Sequence, residues 1–178
     1  MRYVALLRGV NVGGKRRVPM AELAAILEGL GCTNVATHLQ SGNAVFTATA
    51  TLAKRLPQLA AAALEERFGF AVPVVVRSAR QLQVLFLGNP YALEGAPEDS
   101  LFVGFLSREP SARQVKALDP ERSPGDRFAV VGADAFLHLP NGVARTKLDN
   151  DWFDRHLDAV ITVRNWRTVA ALVERTCG

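Results

Sequence analysis

The sequence predicts an α+β chain made of two tandem units of β-α-β-β-α-β order, each followed by one more helix. Three observations predict it. Strand-length and helix-length apolar patterns follow the same order in both halves of the chain. Val76-Arg77-Ser78-Ala79-Arg80-Gln81-Leu82 is matched in type by Val163-Arg164-Asn165-Trp166-Arg167-Thr168-Val169, at an offset of 164 − 77 = 87 residues. Between the halves, Asn89-Pro90 and Glu94-Gly95-Ala96-Pro97-Glu98 carry the residues of a linker.

In the first half, Tyr3 to Leu7 is an apolar run that reads as a buried strand. A glycine-rich basic loop, Gly9 to Arg17, leads to Pro19, which opens a helix where its missing N–H costs nothing. Met20, Leu23, Ile26, Leu27 and Leu30 give that helix an apolar face, and Gly31 suits its end. Asn34 to Leu39 and Ala44 to Thr47 read as paired strands around the turn Ser41-Gly42-Asn43. A second helix ends at Phe68-Gly69. A cap at Thr51 would leave Pro57 too deep for an unkinked helix. Val72 to Val76 is a strand, and Ser78 caps the trailing helix.

The second half repeats this. Leu101 to Leu106 is a strand, and Ser111 caps a short helix. Phe128 to Val131 and Ala135 to Leu139 form a hairpin. Lys147 to Leu157 reads as a helix, Val160 to Val163 as a strand, and Asn165 caps the last helix. The β-α-β-β-α-β order is that of a ferredoxin-like unit, or alpha-beta plait, so two subdomains are expected at residues 1–89 and 98–178. Each is expected to carry its helices on one face of a small sheet. A competing match, His38-Leu39 with His138-Leu139, falls on non-equivalent strands under this topology.

Bulk composition bounds the function. The 178 residues are 49% hydrophobic and 21% charged, which argues for a packed core and against disorder. No apolar stretch has the length of a membrane span, and Arg8 interrupts the N-terminal apolar run before it could serve as a signal peptide. Cys32 and Cys177 form neither a disulfide framework nor a metal cluster; reduced thiols and a cytoplasmic location are expected. The formal charge of +4 fits a phosphate-bearing partner without requiring one.

Four segments are candidates for chemistry. Arg8 to Arg17 places Asn11, Gly13, Gly14 and Lys15 in a loop whose backbone can approach a ligand closely, although it lacks the P-loop spacing. Gln40-Ser41-Gly42-Asn43 offers donors and acceptors in a turn. Arg145-Thr146-Lys147 precedes a helix, with Thr146 as its cap and Lys147 in its first turn, where a cation calls for a compensating anion. Arg164-Asn165-Trp166-Arg167 sets a tryptophan between arginines, suited to stacking on a base or to wedging between the halves. Asp151, Asp154 and Asp158 share a helical face without completing a metal shell. No catalytic constellation is present: His38, His138 and His156 lack partners at ligand spacing, and no nucleophile elbow occurs.

Four segments also resemble one family. They are Tyr3-Val4-Ala5-Leu6-Leu7-Arg8-Gly9-Val10-Asn11-Val12-Gly13-Gly14, Leu39-Gln40-Ser41-Gly42-Asn43-Ala44-Val45-Phe46, Phe68-Gly69-Phe70 with Val72-Pro73-Val74, and Thr162-Val163-Arg164-Asn165-Trp166-Arg167-Thr168-Val169. Together they resemble domain-of-unknown-function family 1697 over nearly the whole chain. The resemblance implies a bacterial cytosolic protein of two ferredoxin-like subdomains, and it implies no activity or cofactor. Where such proteins often show Ser-Lys-Leu, this chain has Thr146-Lys147-Leu148, and Arg167 replaces an uncharged residue. The resemblance adds weight to Arg8, Asn11, Gly13, Gly14, Gln40, Ser41, Gly42, Asn43, Lys147, Arg164, Asn165 and Trp166 as one functional set.

The expected function is a binding module for an anionic, phosphate-bearing ligand, nucleic acid or nucleotide included, with no metal. The RNA-recognition variant of this fold is disfavoured, because only Tyr3 and Phe46 could serve as its strand aromatics. An enzyme acting on an anionic small molecule in a cleft between the halves, and a structural or oligomerising protein, are the alternatives.

Overall fold

The computed structural model describes residues 1–177. The chain forms two compact units: Met1–Val84 together with the segment from Ala171 onward, and Leu85–Ala170. In the first unit lie β1 (Arg2–Leu7), α1 (Met20–Gly29), β2 (Thr33–His38), β3 (Asn43–Thr47), α2 (Ala50–Phe68) and β4 (Val74–Ser78), and α3 (Ala79–Leu87) follows directly. The short α4 (Pro90–Leu93) leads into β5 (Leu101–Leu106), α5 (Ala112–Lys116), β6 (Arg127–Val131), β7 (Asp134–His138), α6 (Asn150–Leu157), β8 (Ile161–Asn165) and α7 (Trp166–Cys177).

The two sheets have strand orders β2-β3-β1-β4 and β6-β7-β5-β8, with every pair antiparallel. This is the ferredoxin-like order twice, as the repeat in the sequence required. The duplication extends to single positions. Val4 of β1 faces Arg77 of β4, and Val103 of β5 faces Arg164 of β8. Each arginine donates to the carbonyl of the residue before it, at 3.1 Å for Arg77 and 2.9 Å for Arg164.

Strand alternation assigns the core. Tyr3, Ala5 and Leu7 of β1 pack with Leu23 and Leu27 of α1 and Leu56, Ala60 and Leu64 of α2. Val4 and Leu6, which point the other way, are as fully buried, so the central strand β1 is shielded from water on both faces and not only on its helical one. In the second unit, Leu106, Ala135, Leu137 and Ile161 pack with Trp152, Phe153 and Leu157 of α6. Ring edges of Phe128, Trp152 and Phe153 meet at 4.9–5.8 Å between centroids.

Three local expectations are corrected. Thr49, not Thr51, caps α2 by accepting from the Leu52 N–H, and the helix runs unbroken through Pro57. Proline costs roughly 3 kcal/mol inside a helix. Burial of Ala53, Leu56, Ala60 and Leu64 on one stripe offsets that loss, at about 1.5–3 kcal/mol for each leucine. The stretch from Asn89 is not a bare linker: Asn89 is fully buried and its side chain caps α4, accepting from Tyr91 N at 3.0 Å. Finally, α6 begins at Asn150 with Asp149 as its cap, rather than at Lys147.

Gly104 gives one test of the packing. A Cβ there would collide with Ile161 Cδ1 and lie 2.8 Å from its Cγ1, whereas the matching position of β1 is Ala5. Gly104→Ala is expected to destabilise by about 1–3 kcal/mol through overpacking. Urea unfolding reads this, and an unchanged midpoint would refute the packing described.

Candidate anion-binding face

The loop after β1 is an ordered miniature hairpin. Val12 and Lys15 pair, Lys15 N–H donates to Val12 O at 3.1 Å, and Asn11 N–H donates to Arg16 O at 3.1 Å. Gly13 and Gly14 form its tip with φ of 59° and 73°. A two-residue tip of this kind needs positive φ at both places, which explains the paired glycines.

Asn11 fixes the hairpin to the rest of the unit. Its Oδ1 accepts from Val18 N at 2.9 Å, and its Nδ2 donates to Val18 O at 2.9 Å and to Gln40 O at 2.6 Å. The β2–β3 turn is held as firmly. Leu7 N–H donates to Gly42 O at 2.8 Å, while the buried Asn43 donates to His38 O at 2.9 Å and to Ser41 Oγ at 3.0 Å. Two candidate segments thus meet at one end of the first sheet. Arg8, Asn11, Gly13, Gly14, Lys15, Gln40, Ser41, Gly42 and Asn43 all belong to this end.

Within it the roles divide. Asn11, Gly42 and Asn43 build the scaffold. Arg16 lies over the Phe70 ring at 5.1 Å and donates to Ala71 O, which ties it down. Lys15, Arg17, Gln40 and Ser41 are exposed. Neither Lys15 nor Arg17 enters an ion pair among the described residues, so both charges face solvent. The start of α1 adds little attraction for an anion: Pro19 supplies no side-chain cap, and Glu22 in the first turn is gripped by Arg67 at 2.8 and 3.0 Å. The positive potential comes from side chains, not from a phosphate loop of backbone amides.

The other candidate segments lie in the second unit. Thr146 Oγ1 accepts from Leu148 N–H at 3.0 Å and does not cap α6. Lys147 therefore sits before the helix rather than in its first turn, and its N–H is bound by Ser123 Oγ at 3.0 Å. From that position its charge does not oppose the dipole of α6 and needs no compensating anion. Arg164 is half-buried, and desolvation pulls its guanidinium down to about 10. Its match to Arg77 gives it a part in the repeated framework. Asn165 Oδ1 accepts from Thr168 N–H at 2.8 Å as a helix cap. Trp166 is 4% exposed and stacks on Phe86 at 4.6 Å, so its ring faces are not open to a base. The aspartates serve structure: Asp149 caps α6, Asp154 accepts from Ile161 N–H at 2.8 Å, and Asp158 pairs with Arg108.

His38 on β2 supplies a pH handle on the first unit. Burial lowers its affinity for a proton, and the nearby charge of Arg175 lowers it further. The folded state therefore resists protonation more than the unfolded chain. The stability this gives is complete above the ordinary value of 6.5 and is lost as pH falls below it. His38→Gln is expected to flatten the loss of thermal midpoint between neutral and mildly acidic pH. Parallel curves for both proteins would show that His38 has no such part.

Fold and site together define a duplicated ferredoxin-like α+β protein with a basic hairpin at one end of its first sheet. The chain belongs to the family described as "Protein of unknown function (DUF1697)", whose model matches residues 1–136. That match contains the hairpin and the β2–β3 turn and ends before Lys147 and Arg164. A solved structure, the conserved bacterial protein SP0830 from Streptococcus pneumoniae, shares the fold with a TM-score of 0.74. It is 23% identical, and the alignment covers 99% of this chain and 98% of that one. No curated protein matches this chain. Among the described residues no helix is long and apolar enough to cross a membrane.

Proposed function

We propose that this protein is a binding module for phosphate-bearing anions, nucleic acid or nucleotide among them, and that the hairpin end of the first unit is its contact face. The observation that supports it is the Asn11 clamp. By bonding at once to Val18 and to Gln40, it holds Lys15 and Arg17 beside the polar β2–β3 turn instead of leaving them on a mobile loop. A backbone that is already ordered loses little conformational entropy on binding, so only the side chains of Lys15 and Arg17 remain to be fixed. An exposed patch of this kind attracts phosphate by charge and counterion release, with little sequence preference.

The test is retention of the whole chain on single-stranded RNA, duplex DNA and inorganic polyphosphate over a range of salt. Affinity that falls linearly in log–log form with salt is the expected result. Absence of binding at low salt to all three, and to free nucleotides, would remove the proposal.

A further inference from the structure

The duplication leaves two clefts in matching places, and they are not alike. In the first unit Tyr3 faces Ser78 on one side and Phe46 on the other. Tyr3 is 7% exposed, and its ring stacks on Phe46 at 5.8 Å, beneath the 19-residue α2. The residual cleft there measures about 280 Å³. In the second unit the same register places Phe102 opposite Asn165 and Leu137. Leucine replaces the stacking aromatic, and the helix above, α6, has only 8 residues. Phe102 is left half-buried, and the cleft opens to about 380 Å³. That volume lies at the lower end of the roughly 300–1,000 Å³ typical of small-molecule sites.

The lining specifies what fits. Phe102, Leu137 and Val163 make an apolar floor, and Asp149, Asn150 and Asn165 make a polar rim. Two rim groups have one atom already engaged: Asp149 Oδ1 accepts from Trp152 N–H, and Asn165 Oδ1 accepts from Thr168 N–H, each at 2.8 Å. What they offer a ligand is the opposite pair, a carboxylate oxygen that accepts and an amide nitrogen that donates. A flat apolar ring with an amino group next to a ring acceptor meets the floor and both rim groups together.

We infer that the cleft of the second unit is a binding site for an amino-bearing planar heterocycle of nucleobase type. Its ring lies along Phe102, its amino group donates to Asp149, and its neighbouring acceptor receives the Asn165 amide. This site uses no hairpin residue, so it stands or falls independently of the anion-binding face.

Adenosine, purine riboside and benzoate are the probes, and titration of the whole chain followed by amide chemical shifts is the readout. Adenosine is expected to bind with a dissociation constant of about 1 mM and to shift signals of Phe102 and Val163. Purine riboside, which keeps the purine ring and lacks the amino group, is expected to bind several-fold more weakly, and benzoate not at all. Leu137→Phe restores the aromatic of the first unit, fills the floor and is expected to abolish binding. Asp149→Asn keeps a good helix cap, so the fold survives even if the first variant does not. It is expected to weaken adenosine about tenfold with an unchanged thermal midpoint, because the amino group then loses its charged acceptor. Adenosine binding unaffected by Asp149→Asn, benzoate binding as well as adenosine, or no adenosine binding at roughly ten times that 1 mM constant would each overturn the inference.

Discussion

Gly42→Ala is expected to destabilise the first unit by about 3 kcal/mol or more, the sum of a left-handed backbone for a residue with a Cβ and overpacking against fixed atoms. Gly42 has φ of 80°, and a Cβ on it would stand 2.7 Å from Leu7 Cβ and 2.8 Å from Val10 Cγ2. Leu7 Cβ is rooted in the central strand, and Leu7 N–H is bonded to Gly42 O itself. Leu7 cannot retreat without disturbing β1, which pairs with β3 along its length. The β2–β3 turn would lift away from the hairpin, and the hydrogen bond from Asn11 to Gln40 O would lengthen. For a chain of this size such a loss corresponds to a fall in thermal midpoint of about 6–12 °C. Differential scanning calorimetry tests it. A fall of less than about 1 °C would mean that the turn is not packed as described.

The second large effect is on binding. The double variant Lys15→Glu/Arg17→Glu is expected to weaken binding to RNA or DNA by about 10- to 100-fold and to reduce the log–log salt slope by about 2, close to one phosphate contact per reversed charge. Both side chains are exposed and unpaired, so stability should move by no more than about 0.5 kcal/mol. The pairing of these two readouts matters. Lost affinity with an unchanged salt slope would place the contact elsewhere, and lost stability would mean that the charges serve the fold.

Much of the architecture was legible because strand and helix periods differ. β1, β3, β5 and β7 are short runs whose alternate residues face a helical layer, and α7 follows a strand through an Asn cap. The paired Arg77 and Arg164 gave away the duplication, since both close a last strand at the same register. Boundaries were less legible where two residues compete for one role. Thr146 and Asp149 are both good caps, and sequence order favoured the wrong one. In the fold Thr146 closes a local turn on Leu148, which frees Asp149 to start the helix three residues later. Pro57 was misleading for a related reason: its local cost is real, but four buried side chains on the same helix outweigh it.

The candidate site was legible in composition and not in geometry. Val12-Gly13-Gly14-Lys15 carries the signature of a tight hairpin, whereas its composition alone suggests only a glycine-rich basic loop. Trp166 offered a stacking surface on paper, yet Phe86, eighty residues earlier in chain order by simple subtraction (166 − 86 = 80), already occupies it. The open cleft of the second unit had no sequence signal on its own. It emerges only when Phe102 and Leu137 are set beside Tyr3 and Phe46 in register.

By itself the sequence determined two copies of one β-α-β-β-α-β order, the apolar faces of their elements, and the clustering of glycine and positive charge after the first strand. Those properties are local, written in residues a few positions apart. Only the tertiary structure decided which cations stay free and which are spent on the framework, that Asn11 joins the hairpin to a turn 29 residues away, and that of two matching clefts one measures about 280 Å³ and the other about 380 Å³. Each of those depends on which distant side chain arrives first at a shared volume or a shared hydrogen-bond partner, and close packing admits only one occupant.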